Sequence, residues 1–133
     1  MTDEVVDVAR RCLDAAETGA MSFPEIVGAL VAAGVESYRV DFRRARAAYY
    51  RADGSAFELA APFEPPPVAE AFDAGALRAA IAEAQAGAPG YTYPGFRQKA
   101  AAAGCADYLV SAPGRRALYV ARTGETHVER FPD

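Results

Sequence analysis

The chain has 133 residues, of which 52% are hydrophobic and 24% charged, and its formal charge at neutral pH is −4. That length supports one compact domain without disulfides or a structural metal, and no apolar run approaches the roughly 20 residues that span a bilayer. The acidic balance argues against nucleic-acid binding, which calls for a basic surface. Asp3, Glu4 and Asp7 stand where a secretory leader would be basic and then apolar, so a cytoplasmic setting is expected.

From Glu4 to Glu17 the apolar positions Val5, Val8, Ala9, Cys12, Leu13 and Ala16 recur at helical spacing, and Gly19 supplies a stop. Ser22, Phe23, Pro24 and Glu25 form a capping-box start with proline in the first turn, and Gly34 ends this second helix. Tyr38, Val40 and Phe42 then alternate with Arg39, Asp41 and Arg43, as in a half-buried strand. A second strand is predicted from Arg46 to Arg51 and a third from Ala56 to Ala61. Asp53-Gly54 between them predicts a type I′ hairpin turn, which needs positive φ at both central residues. Residues 63–72, with Pro65, Pro66 and Pro67, read as a stiff extended connector.

Beyond the connector the order repeats. Asp73 caps a helix carrying Leu77, Ala80, Ile81 and Ala84 and ending at Gly87, and Thr92 with Pro94 starts another carrying Phe96, Ala100 and Ala103. Strands are predicted at Asp107 to Ala112, Arg116 to Ala121 and Thr126 to Arg130, with Pro113-Gly114 and Thr123-Gly124 in the turns. Phe23 to Pro62 overlays Tyr93 to Pro132 without a gap, matching Pro24 to Pro94, Gly34 to Gly104, Tyr38 to Tyr108, Tyr49 to Tyr119 and Gly54 to Gly124.

The expected fold is α+β. It is a tandem duplication of an α-α-β-β-β unit (repeats 4–62 and 73–132) with pseudo-twofold symmetry and antiparallel sheet packed on helices. Periodicity leaves open whether the sheet is one six-stranded surface or two facing halves. Cys12 and Cys105, the only cysteines, fall on apolar faces and read as small buried hydrophobes.

The runs Phe23-Pro24-Glu25-Ile26 and Gly34-Val35-Glu36-Ser37-Tyr38, then Tyr93-Pro94-Gly95-Phe96, Gly104, Tyr108, Tyr119 and Gly124, resemble the YbcV-like family. This is a domain of unknown function in small bacterial and prophage-encoded proteins, sometimes labelled "phage envelope protein". The resemblance covers nearly the whole chain and implies no activity. Arg97 stands where it implies a cysteine.

The repeats differ most in the last strand, where Ser55, Phe57, Leu59 and Ala61 correspond to Glu125, His127, Glu129 and Phe131. Residues at i, i+2 and i+4 of a strand share a face, so His127 between Glu125 and Glu129 is a candidate general base, helped by Arg122 or Arg130, and a weak metal ligand. The competing reading is a solvated or bulged edge strand. Arg39, Arg43, Arg44, Arg46 and Arg51 crowd the first hairpin. With Tyr49, Arg116 and Tyr119 they suggest anion binding, unless Asp41 pairs with them. Matched tyrosines suit a core.

The chain lacks the markers of a P-loop, of Gly-x-Ser-x-Gly hydrolases and of His-Glu-x-x-His proteases, and nothing calls for a cofactor. The expectation is a non-enzymatic binding or protein-interaction module, with a homodimer or protein as partner. The alternatives are a small acid/base or metal-assisted enzyme on the last strand and an anion-binding module on the arginine hairpin.

Overall fold

The computed structural model describes residues 3–132; residues 1, 2 and 133, the outermost positions of the predicted domain, lie outside them. Four helices and six strands follow in the order α1 (Glu4–Thr18), α2 (Phe23–Ala32), β1 (Val35–Asp41), β2 (Arg46–Arg51), β3 (Ala56–Ala60), α3 (Ala74–Ala86), α4 (Tyr93–Ala102), β4 (Cys105–Ser111), β5 (Arg116–Ala121) and β6 (Thr126–Arg130). No helix among the described residues is long and apolar enough to cross a membrane.

Each helix starts on a polar cap that takes up a free backbone N–H, a contribution of about 1 kcal/mol apiece. Asp3 accepts from Val5 N, Ser22 from Glu25 N, Asp73 from Ala76 N and Thr92 from Gly95 N. At α2 the capping box is complete, since the Glu25 carboxylate accepts the Ser22 N–H at 2.9 Å. Gly19 and Gly87 close α1 and α3 in the left-handed region.

All six strands form one antiparallel sheet in the order β3-β2-β1-β4-β5-β6, which resolves the alternative left open by periodicity. Two meanders meet at β1 and β4, where Tyr38 pairs with Val110, Arg39 with Leu109 and Val40 with Tyr108. The bounds of α2, β1, β2 and β3 recur seventy positions later as those of α4, β4, β5 and β6. β1 and β4 start earlier than alternation suggests, because a register shift near Val35 and another near Cys105 interrupt the two-residue period.

One face of the sheet carries Tyr38, Val40, Ala47, Tyr49, Tyr108, Val110, Ala117 and Tyr119. All are buried with Ala9, Cys12, Leu30, Leu77, Ala80, Ile81, Phe96 and Ala100 of the helices. The rings interlock: Tyr38 stacks on Tyr49 at 5.8 Å, Tyr108 tilts against Tyr119 at 5.7 Å, and Phe96 meets Tyr119 edge-on at 6.3 Å. Such pairs contribute about 0.5–1.5 kcal/mol each beyond burial. The Tyr93 and Tyr108 hydroxyls bond to each other at 2.6 Å. Cys12 and Cys105 are free and buried, and burial, reinforced by the Asp107 charge, pushes the Cys105 thiol up to about 12. Among the described residues no helix covers the opposite face of the sheet.

The hairpin turns correct one expectation. At Asp53-Gly54 only Gly54 is left-handed, with φ of 91°; its N–H reaches Arg51 O at 3.0 Å and Arg51 N reaches Ser55 O at 2.8 Å. This is the three-residue turn with a glycine bulge rather than type I′. Asp53 is freed to accept from Ser55 N and Oγ. In the β1–β2 and β4–β5 turns the left-handed residues are Ala45 and Arg115, and in the β5–β6 turn it is Gly124, with φ of 90°. Gly104 is required for another reason: a Cβ there would lie 2.3 Å from Ala71 O, because the connector is held against α4 by Asp73 N to Ala103 O at 2.8 Å.

Candidate functional site

α3 and β6 form the walls of a groove of about 260 Å³ lined by Arg78, Ile81, Ala82, Gln85, His127, Glu129 and Arg130. The walls follow from local sequence. Leu77, Ala80 and Ile81 anchor α3 to the sheet, which leaves Arg78, Ala82 and Gln85, one helical turn apart, leaning towards the strand. β6 pairs with β5 without a register shift, placing His127 opposite Tyr119 and Glu129 opposite Ala117, so both side chains share the helix-covered face.

Glu129 is held from two sides. Its Oε1 accepts the Tyr119 hydroxyl at 2.8 Å and its Oε2 accepts Gln85 Nε2 at 2.8 Å. Burial and the neighbouring Glu129 charge push the Tyr119 phenol far above its ordinary value, so it stays a donor at neutral pH. His127 lies tilted against the Tyr119 ring at 6.4 Å. Among the described residues no carboxylate bonds to its imidazole.

Of the predicted trio, His127 and Glu129 come together in the groove, while Glu125 stays in the preceding turn, where it accepts Thr123 Oγ1 at 2.9 Å. No three His, Cys, Asp or Glu side chains among the described residues gather as a metal-ligand set. β6 is an edge strand, as the competing reading held, yet its ionisable pair points inward. Arg122 reaches away to Val68 O at 3.0 Å and secures the connector, whereas Arg130 borders the groove but, as the cross-strand partner of Arg116, carries its side chain on the open face.

The arginines of the first hairpin are largely neutralised. Arg39 donates Nε to Asp107 at 2.9 Å with Nη2 at 2.8 Å, Arg44 lies 3.0 Å and Arg46 3.9 Å from Glu58, and Arg51 pairs with Asp3. Asp41 does not pair with them; its Oδ1 accepts the backbone N–H groups of Arg43 and Arg44 and fixes the turn. Arg116 donates Nε to Gly114 O at 3.0 Å. Arg39, Arg46 and Arg116 project from the open face, whereas Tyr49 and Tyr119 lie beneath the helices, so the predicted anion-binding set is divided between two sides of the sheet. Exposed ion pairs of this kind contribute only about 0–1 kcal/mol.

Arg78 and Gln85 escaped the reading of the sequence, and Ile81 was read only as an apolar position of its helix. Their spacing marks one side of a helix but does not say which strand that side meets. Arg97 also takes an unforeseen role: it is 7% exposed, pairs with Glu17 through both terminal nitrogens, and lies over the Phe63 ring at 4.1 Å and the Tyr93 ring at 5.5 Å. It ties α1, the connector and α4 together.

Set against known proteins, the chain matches no family model and no curated sequence.

Proposed function

We propose that this chain is a non-enzymatic binding module of duplicated α-α-β-β-β architecture, and that the α3–β6 groove is its ligand site. The carrying observation is that the groove opens where His127 and Glu129 face α3, and that Arg78 on its helix wall has no carboxylate in ion-pair range among the described residues, while the hairpin arginines are mostly matched to acids. An acid/base enzyme is less well supported, because Glu129 is engaged by Tyr119 and Gln85 and no carboxylate orients His127. Duplication is supported by the seventy-residue recurrence of four elements and by a central register that pairs Arg39 with Leu109. Membership of the YbcV-like family rests on the shared helix starts Phe23-Pro24 and Tyr93-Pro94 and on the strand tyrosines. A small-molecule thermal-shift screen on the wild type and an Ala82→Trp variant tests the ligand site. Stabilising hits that vanish when the groove is filled are expected; hits that all survive the tryptophan would place the site elsewhere.

A second reading is favoured by the open face. Leu109, Leu118 and Val128 are consecutive cross-strand partners there, beside Val120, and Val128 is 41% exposed. Six strands about 4.8 Å apart and about 20 Å long make a face of roughly 580 Å², of the same order as the about 800 Å² per partner of a stable dimer. A second copy of the chain is therefore the proposed occupant. Light scattering should give the mass of two chains, reduced to one by Leu118→Glu; a monomer at all concentrations would end this reading.

A further inference from the structure

We infer that the corner between α2 and β1 is a second docking site, sharing no residue with the α3–β6 groove, and that it takes an extended apolar peptide segment of a partner protein carrying a basic residue. The support is a contrast between positions seventy apart. At the α4–β4 corner the connector lies along the end of the helix. Ala69 N donates to Ala101 O at 3.0 Å, Asp73 N to Ala103 O at 2.8 Å and Arg122 Nη1 to Val68 O at 3.0 Å. Ala101 is 1% exposed there, and Gly104 and Ala106 are buried. At the α2–β1 corner no segment among the described residues lies in that way. Val31, matching Ala101, is 49% exposed, and Gly34 and Glu36 are exposed with it. A Cβ on Gly34 would meet nothing within 4 Å, whereas one on Gly104 would strike Ala71 O.

Two features select the occupant. The first is shape and polarity. The covered corner shows what such a helix end accepts: an extended chain, whose Phe63 and Phe72 pack against the core. The bare corner is the more apolar of the two, since Val27 and Val31 stand where the other has Arg97 and Ala101. Val27, Leu30, Val31, Val35 and Ala112 line a shallow depression in it. Exposed branched side chains beside open backbone give an extended peptide a surface to cover and room for its main chain. The second feature is charge. The connector carries Glu64 and Glu70, and its corner holds Arg122 against it. The bare corner has Ala52 in the place of Arg122 and Glu36 in the place of Ala106, and among the described residues no cation pairs with Glu36. A lysine or arginine on the guest complements that acid, whereas an acidic guest meets a like charge.

The test titrates the full chain with two synthetic peptides, one of residues 63–72 and the same peptide with Glu64→Lys and Glu70→Lys, followed by the methyl signals of Val27 and Val31 and the amide of Gly34. Saturable shifts at this corner are expected with the lysine peptide. Its affinity should be at least about tenfold above that of the glutamate peptide, and at least about tenfold above its own affinity for a Val31→Ser chain. Glu36→Gln should narrow the gap between the peptides. Equal binding of both peptides would overturn the basic assignment, and binding unchanged in Val31→Ser would overturn the corner as the site. Unmoved signals at millimolar concentrations of both peptides would overturn the inference while leaving the groove untouched. A mass of two chains that persists in Leu118→Glu and is lost in Val31→Ser would give the corner to a second copy and overturn the partner assignment.

Discussion

The two edges of the sheet occupy matching places in the order of strands and behave in opposite ways. At the β3 edge Phe57 stacks on Tyr49 at 5.1 Å, and Phe57 and Leu59 join Val5, Val8 and Leu13 in packing against the core. At the β6 edge His127 and Glu129 stand in those positions, Tyr119 donates a hydrogen bond to Glu129 where Tyr49 offers a ring to Phe57, and a groove opens beneath α3. The lesson is that the backbone does not create the site. Two side-chain replacements on one edge strand convert a closed apolar seam into a polar recess, because a carboxylate and an imidazole keep access to water that an aromatic and an aliphatic residue give up.

The largest effect expected from pushing on this comparison engages both halves at once. Burial raises the phenols of Tyr38, Tyr49, Tyr93, Tyr108 and Tyr119, with Tyr93 brought from 10.0 to about 12. The unfolded chain releases these protons near pH 10 while the folded chain keeps them. Their stabilising effect is therefore complete below pH 10 and is lost as pH rises through 12. Urea midpoints measured from pH 8 to pH 12 should fall steeply above pH 10, with tyrosinate absorbance rising only as the chain unfolds. A flat profile would mean that the tyrosine cluster is open to solvent.

A smaller effect is expected from making α4 resemble α2. Arg97 stands where α2 has Val27, and Arg97→Val leaves Glu17 half-sheltered without its partner, costing about 2–4 kcal/mol in urea unfolding. A loss below about 1 kcal/mol would show that the pair has little energetic role. The finest test compares the edges directly. Phe57→Ala removes a packed ring and should cost about 2 kcal/mol, whereas His127→Ala, on the rim of a groove, should stay within about 0.5 kcal/mol. Equal costs at the two positions would erase the distinction between seam and recess.

Much of the fold was legible in residues whose signals are local. Ser22 and Glu25 around Pro24 mark a helix start wherever they fall, and the bounds of β2, β5 and β6 agree with the alternation of Arg46 to Arg51, Arg116 to Ala121 and Thr126 to Arg130. Turn geometry was less legible. Asp53-Gly54 fits two turn types, and the choice depends on the register in which Arg51 meets Ser55. The site was half legible. His127 and Glu129 stood out because Phe57 and Leu59 stand seventy positions earlier, whereas Arg78 and Gln85 belong to α3 and carry no mark of which strand they will overlie.

The sequence by itself determined the helix and strand order, the alternation that buries the matched tyrosines, and the ionisable pair on the last strand, because each depends on neighbours within a few positions along the chain. Only the tertiary structure decided that β1 and β4 join the halves into one sheet, that the arginines of the first hairpin meet Asp107, Glu58 and Asp3, and that Arg78 and Gln85 of α3 line a recess with His127 and Glu129 of β6. These outcomes depend on which charges lie within a few ångströms across elements distant in sequence, and that proximity is fixed by how apolar faces pack together.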